Sequence, residues 1–568
     1  MDAQWWKKAV VYQIYPRSFA DADGDGVGDL RGIIAHLDHV AGLGVDVVWL
    51  SPIYRSPMDD NGYDISDYDD VDPLFGSLAD VDALIEAVHA RGMKLVMDLV
   101  VNHTSDEHAW FQSSRDPRSD KRDWYLWRPA RPGRTPGEPG AEPTNWGSFF
   151  SGSAWQFDER SGEYYLHLFS RKQPDLNWEN PAVRAEVYAM MRRWVERGVD
   201  GFRMDVINLI SKTYPLTDGA VEPGQPYSFE VQKVVDGPRM IEFLEEMNRE
   251  VGLSERHLFT VGEMVLVDVP HARAYTSQHH DRLAMVFTFE HMGLDQDGPD
   301  KFRPAPLHLP DLKRNLAAWQ EGLADEGWNS LYWCNHDQPR VVSRFGDDSE
   351  EFRVASAKTL ATVLHLHQGT PFVYQGEELG MTNAGLGAIE DYRDLESLNY
   401  YAAAVASGAA PEAVLAGLRA KSRDNARTPM CWSDAPQAGF STGTPWLRVN
   451  PNYRSINAAA QVGDPDSVYA HYRRLIELRH DREVVRQGRF ALLLPDDERL
   501  WAYTRTLGGE QLVVLANLSG EAVEVPLDAL PPLGDAFTLS SFVFRLLCGV
   551  AFAVVFRLRG FAIAAWTH

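Results

Sequence analysis

Lys94-Leu-Val-Met-Asp-Leu-Val-Val-Asn-His103 decides how this chain folds. Its apolar residues run on without polar alternation, so both faces of the strand it predicts are buried, as in a parallel sheet. Asp98 closes the strand-like run Lys94–Asp98, and His103 ends the whole stretch. Toward the N-terminus, Gly92 closes a helical stripe of Val81, Leu84, Ile85 and Val88, and Ser77 is its expected N-cap. Further back, Val10–Tyr15 and Val45–Leu50 read as two more buried strands, with the stripe Leu30, Ile33, Ile34, Leu37 and Val40 between them. The order βαβαβ implies a parallel sheet.

Toward the C-terminus, three further short runs end in an acid. They are Gly201-Phe-Arg-Met-Asp205, Thr260-Val-Gly-Glu263 and Trp333-Cys-Asn-His-Asp337. In a (β/α)8 TIM barrel the C-terminal strand ends meet at one face, so residues remote in sequence converge there. The expected architecture is an α/β barrel formed by residues 1–102 and 175–485, with a small domain inserted at 103–174 after the third strand. That insert is rich in Trp, Pro and Gly, including Arg131-Pro-Gly-Arg-Thr-Pro-Gly-Glu-Pro-Gly140, and helix–strand alternation resumes at Pro181, a good first helical residue. Alternating segments at Leu500–Arg505 and Gln511–Ala516 predict a C-terminal antiparallel β domain over 486–536. Residues 537–568 form an atypical apolar tail, without an acid after Asp535 and with the run Phe542–Phe556 interrupted by Arg545. An out-of-frame end of the gene is the favoured reading, with a membrane helix or a buried strand pair as the alternatives.

At 568 residues the chain exceeds one ordinary domain, and 44% hydrophobic content is enough for a large core. A formal charge of −26 argues against nucleic acid and anionic membranes as partners and favours a neutral substrate or a cation. Three cysteines, Cys334, Cys431 and Cys548, make no disulfide framework, and Met1-Asp-Ala-Gln-Trp-Trp-Lys-Lys leads straight into a strand-like run without a secretory pattern. A cytoplasmic monomer is expected.

Asp21-Ala-Asp-Gly-Asp-Gly-Val-Gly-Asp29 spaces its acids as an EF-hand loop does, with Gly at position six but Gly32 where the twelfth-position Glu belongs. Its expected role is structural, holding Ca2+ or Mg2+ through Asp21, Asp23, Asp25, Asp29 and the Val27 carbonyl; a solvated acidic turn is the alternative. Arg203 lies two residues before Asp205, on the same strand face, where it favours the ionised carboxylate; a buried structural ion pair has the same pattern. Gly262 leaves room for a ligand beside Glu263, whose use as an acid needs a raised pKa. Asn335-His336-Asp337 adds a second His–Asp pair. Each motif is weak alone; their order within one barrel is a strong joint signal.

In that order the four blocks resemble the signature regions of the α-amylase superfamily, glycoside hydrolase family thirteen, over residues 5–530. The resemblance implies a retaining double displacement with Asp205 as nucleophile, Glu263 as acid/base and Asp337 as transition-state stabiliser. It also implies substrate contacts from Tyr63, His103, Phe169, Arg203, Val206 and His336. Gln173-Pro-Asp-Leu-Asn-Trp178, Asp205-Val-Ile-Asn208, Gly237-Pro-Arg239, Phe287-Thr-Phe-Glu-His291 and Asn425-Ala-Arg-Thr-Pro-Met430 resemble the oligo-1,6-glucosidase group. In that group Val after the nucleophile accompanies α-1,6 preference. The acidic loop resembles the group's calcium site. Gly62-Tyr-Asp64 and Ser422-Arg-Asp424 match its pocket-closing residues, which implies an end wall of Asp64 and Arg423 and exo-action on short oligosaccharides. Cys431, where Gln is usual, and Val265, where Pro is common, depart from the pattern and bear on leaving-group selectivity. Trehalose-6-phosphate hydrolysis, sucrose isomerisation or transglucosylation, and a non-catalytic transporter subunit are the alternatives.

Overall fold

The computed structural model describes residues 4–525 and the strands Phe537–Ser541 and Ala553–Leu558. Eight parallel strands form the central sheet: β1 (Val11–Ile14), β2 (Val47–Leu50), β3 (Lys94–Val100), β4 (Gly201–Asp205), β5 (Phe259–Glu263), β6 (Met285–Phe287), β7 (Ser330–Leu331) and β8 (Thr370–Tyr374). Their order is β6-β5-β4-β3-β2-β1-β8-β7. A parallel bridge between Val286 and Asn329 brings β6 to β7 and closes the ring. Pairing is in register through Val11 with Val47, Val47 with Lys94, and Val96 with Gly201. Inside, the rings of Trp49, Phe287 and Phe372 pack on one another, with Phe287 and Phe372 centroids 4.6 Å apart.

The connecting helices begin where the chain chemistry says they should. α1 (Leu30–Gly42) starts at Asp29, whose carboxylate accepts from the Gly32 N–H. α2 (Leu78–Ala90) has a full capping box between Ser77 and Asp80, and buries Val81, Leu84, Ile85 and Val88. α3 (Pro181–Arg197) has Pro at its first turn and the Asn180 side chain as cap. Between β3 and α3, Trp127–Arg128, Trp155–Asp158 and Glu163–Leu166 form a separate three-stranded sheet beside the strand ends.

The C-terminal sheet contains β9 (Arg489–Leu493), β10 (Leu500–Leu507), β11 (Glu510–Asn517), β12 (Phe537–Ser541) and β13 (Ala553–Leu558). Lys313 binds it to the barrel by donating to the carbonyls of Leu494, Asp497 and Leu500 at 2.6, 2.6 and 2.9 Å. β13 pairs with β11 and β12 pairs with β13. The boundary expected after residue 536 therefore cuts through this sheet: an apolar, β-branched run supplies strands. The rest of that tail, 526–536, 542–552 and 559–568, lies outside the described residues, as do the other readings of it. No helix among the described residues is long and apolar enough to cross a membrane.

Two expectations about strand ends need correction. Asp98 lies inside β3, which runs on to Val100, and Asp337 does not close a strand either, because β7 ends at Leu331 and residues 336 and 337 lie in a turn. Gly262 does not make room for a ligand. The strand's period of two turns it away from Glu263. A Cβ there would lie 2.8 Å from Leu283 and 3.1 Å from Ile207, so it serves core packing.

Candidate active site

A cavity of about 360 Å3 opens at the C-terminal ends of the strands and is lined by Tyr63, His103, Phe169, Asp205, Val206, Glu263, Asp337 and Arg423. Asp205 and Glu263 reach it because each is the last residue of its strand. A second cavity, of about 220 Å3, opens at the opposite ends of the strands near Trp6 and Trp328, with Asp281 as its acid. It lacks the paired carboxylates that glycoside cleavage requires.

One guanidinium organises the first cavity's floor. Arg203 is 1% exposed. Its Nη1 donates to Asp98 Oδ1 at 2.7 Å and Asp205 Oδ1 at 2.6 Å, and its Nη2 lies 2.6 Å from Glu263 Oε2. Asp98 is fully buried and also accepts from Trp49 Nε1 at 2.8 Å and the Tyr63 hydroxyl at 3.3 Å, so it anchors Arg203 behind the cavity. Burial pushes the Asp205 carboxyl up to about 6 against the pull of Arg203. Burial also pushes Glu263 up to about 7, where Arg203 opposes the shift and Asp205 and Asp337 reinforce it. The two acids thus divide near neutrality, Glu263 keeping its proton to higher pH. Val206 adds a further constraint. It sits at φ +35°, unusual for a β-branched residue, and there its N–H donates to Glu263 Oε2 at 3.1 Å.

Asp337 sits against a different set of cations. Its Oδ1 meets Arg427 at 2.8 Å and Arg423 at 3.2 Å, and its Oδ2 lies 3.1 Å from His336 Nε2. Burial alone would raise its pKa, but His336, Arg423 and Arg427 hold it well below the usual carboxylate range. His336 is oriented from behind by Gln13 Nε2, 2.8 Å from its Nδ1, and stacks on Tyr63 with centroids 5.2 Å apart. His336 and Arg203 are both buried beneath the lining residues. His103 does reach the cavity, packs on Phe169 at 5.2 Å, and is pushed down to about 4 by burial, so it is neutral at pH 7.

The end wall differs from expectation. Asp64 is fully buried and accepts from Ser56 Oγ, the Asp59 N–H and the Asp60 N–H at 2.9, 2.8 and 3.0 Å. It therefore ties a turn and does not line the cavity. Asp60 does, with Oδ1 3.3 Å from Arg423 Nη2 and Oδ2 3.1 Å from Gln173 Nε2. Arg423 also binds Asp394 at 2.5 Å and lies over the Phe150 ring at 5.2 Å. Sequence reasoning missed Asp60, Asp394, Phe149, Phe150, Phe289, Lys301, Glu396 and Leu266. The signal for Asp60 was its place in Asp59-Asp-Asn-Gly62, directly before the motif that was read. Cys431 is fully buried and outside the lining, whereas Val265 is part of it.

At the acidic loop, Asp21, Asp23 and Asp29 bring carboxylate oxygens within 4.8 Å of one another. Asp25 falls outside that set. Its Oδ1 accepts from the Val27 N–H at 2.7 Å, which turns the carboxylate onto its own loop. Ser441 and the Gly24 and Gly26 N–H groups keep Asp21 ionised despite its partial burial.

The family model for the alpha-amylase catalytic domain matches residues 13–488. An oligo-1,6-glucosidase from Parageobacillus thermoglucosidasius is 56% identical over 521 residues, 91% of each chain. A trehalose-6-phosphate hydrolase from Bacillus subtilis is 51% identical over 533 residues, covering 93% of this chain and 92% of its own. The crystal structure of the Bacillus licheniformis trehalose-6-phosphate hydrolase superposes with a TM-score of 0.90 at 46% identity, over 98% of this chain and all of that one.

Proposed function

The chain belongs to the alpha-amylase catalytic-domain family of glycoside hydrolases, and on that premise we propose that it is a retaining, exo-acting α-glucosidase that releases glucose from α-1,6-linked short oligosaccharides. In this reading Asp205 attacks the anomeric carbon and Glu263 protonates the departing oxygen. Water then releases glucose from the covalent intermediate with Glu263 as base. Asp337, held ionised by two arginines, stabilises the positive charge that develops on the sugar ring.

The observation that carries the reading is the ion pair of Asp60 and Arg423 in the cavity lining, with Asp394 bound to Arg423 behind it, which we assign to the non-reducing glucose. The charge balance supports a neutral leaving group. Five carboxylates, Asp60, Asp205, Glu263, Asp337 and Glu396, line the cavity beside two cations, Lys301 and Arg423, and both cations are already ion-paired. A phosphorylated leaving sugar would meet mostly negative charge. The test is a rate comparison on isomaltose, maltose, sucrose, trehalose and trehalose 6-phosphate, with the anomer of the first product read by NMR. We expect isomaltose to be fastest and α-glucose to form first. Faster turnover of trehalose 6-phosphate, or release of β-glucose, overturns the reading.

For the acidic loop, we propose a structural Ca2+ or Mg2+ held by Asp21, Asp23 and Asp29, all oxygen donors suited to a hard cation. Chelation should lower the melting temperature by a few degrees and leave low-temperature activity intact. Superimposable melting curves with and without chelator remove the site. Buried, unpaired Cys334 and Cys431 support a reducing, cytoplasmic location, and a monomer is proposed with it. A single species of monomer mass in sedimentation checks the oligomeric state.

A further inference from the structure

Leu266 has a side chain that the fold does not use. It is 59% exposed, the highest value among the large apolar side chains exposed in the described residues, and it is absent from every packed apolar cluster there. It also sits at φ +55°, a region that disfavours any residue with a Cβ. Neither neighbour is free to relieve this. The Val265 N–H donates to Asn208 Oδ1 at 3.0 Å, the Val265 carbonyl accepts from Asn208 Nδ2 at 2.8 Å, and Val267 is buried in the core. Strain held without a packing reward is a sign of use in a site, and Leu266 lines the catalytic cavity.

Its place in the cavity defines that use. Glu263 protonates the departing oxygen, so the leaving sugar lies on the Glu263 side. Residues two and three positions beyond the acid, Val265 and Leu266, are on that side, with Val206 and Phe289 also lining the cavity. The charged wall of Asp60 and Arg423 holds the other sugar. A pyranose ring has apolar C–H faces that rest against aliphatic side chains.

We propose that Leu266 is the apolar platform for the leaving sugar, and for any sugar that enters its place, and that it thereby sets the partition between hydrolysis and glucosyl transfer. The proposal rests on the α-glucosidase reading. In the second half-reaction an oxygen nucleophile attacks the anomeric carbon of the glucosyl–Asp205 ester. The bond from that carbon to the Asp205 oxygen breaks, its electron pair returns to the carboxylate, and the proton of the attacking water or sugar hydroxyl passes to Glu263. Water needs no platform, whereas a sugar hydroxyl must be delivered by a bound ring.

The test is Leu266→Gly, with Leu266→Met as the conservative variant, assayed on isomaltose and on α-glucosyl fluoride, whose leaving group carries no sugar. In Leu266→Gly the ratio of kcat/KM for isomaltose to that for the fluoride should fall about five- to tenfold, mainly through KM. The transfer-to-hydrolysis product ratio at high isomaltose should fall with it. Leu266→Met should restore both ratios. The melting temperature of the glycine variant should stay within about two degrees of the parent or rise, since glycine adopts this φ freely. An unchanged ratio overturns the proposal. A fall on both substrates together, or a melting temperature lower by many degrees, overturns it too, because Leu266 would then be holding the loop and not the sugar. If the parent enzyme hydrolyses neither substrate, the α-glucosidase reading fails first and the proposal falls with it.

Discussion

The two ends of the catalytic cavity are built from opposite chemistry. At the closed end Asp60, Asp337, Asp394, Arg423 and Arg427 interlock through ion pairs that are buried except on the half-buried Asp337, and each group is fixed by at least one partner. At the open end Val206, Val265, Leu266 and Phe289 offer apolar surface without directional bonds. Hydrogen-bonding groups that would be left unpaired reject a wrong ligand strongly, while apolar contacts discriminate by only about 1–3 kcal/mol. Under the proposed function, the contrast means that the glucose to be transferred is specified tightly and its companion loosely. That is the division of labour expected of an enzyme acting on several short oligosaccharides.

The largest effect should come from the residue that both ends serve. Asp205→Asn should lower kcat by three orders of magnitude or more, about 4 kcal/mol of barrier, with inhibition by glucose largely kept. Retention of even a tenth of the parent rate is inconsistent with a nucleophile. Next is the closed end itself. Arg423→Ala leaves Asp60 without its cation and Asp337 and Asp394 with Arg427 alone, and breaking a buried pair costs about 3–5 kcal/mol. Both kcat/KM on isomaltose and inhibition by glucose should weaken by about a hundredfold, and the melting temperature should drop. Binding of glucose at parental strength in this variant would show that the wall does not hold the donor sugar.

The pH profile tests the floor between the two ends. Asp205 must be ionised, so activity should fall as pH drops below about 6. Glu263 must be protonated, so activity should fall as pH rises above about 7. Each limb changes about tenfold per pH unit, and the two apparent values belong to the coupled pair. A flat kcat/KM profile from pH 4 to 9 would contradict the assignment. The smallest effect belongs to the open end. Val206→Ala removes two methyl groups beside Glu263 and should shift the isomaltose-to-maltose ratio severalfold toward maltose, without inverting specificity. An identical ratio would show that this end does not read linkage.

The carboxylates on the ordered strands were legible because a buried strand ending in an acid is expensive and therefore informative. Asp98, Asp205 and Glu263 are where the alternation of strands and helices puts them. Legibility failed where position depends on turns. Asp60 and Asp64 lie four residues apart in one tight loop, and only its three-dimensional path puts Asp60 in the cavity and buries Asp64 beneath it. Asp337 is likewise delivered by a turn, fixed by the bond from its N–H to Asn335 Oδ1 at 2.7 Å. Leu266 gave no signal at all, since a backbone at positive φ is invisible in a sequence without glycine. In the tail, composition alone left a strand pair as one of three readings, because apolar, acid-free stretches serve β strands and membrane spans alike, and the two described strands match that alternative.

Arg203 touches Asp98, Asp205 and Glu263 at once, and that sharing acts in time as well as in space. While Asp205 is a free carboxylate, burial and, beside it, the negative charge of Asp205 keep the proton on Glu263. Once Asp205 becomes an ester that charge is gone, and the guanidinium has one fewer anion to neutralise. Glu263 then shares the guanidinium with Asp98 alone and, in the proposed mechanism, gives up its proton more readily, just when a base is needed. When the ester is cleaved the negative charge returns and the proton is retained again. In the proposed mechanism a single buried cation thus serves as the clock of the cycle, switching one carboxyl between donor and acceptor.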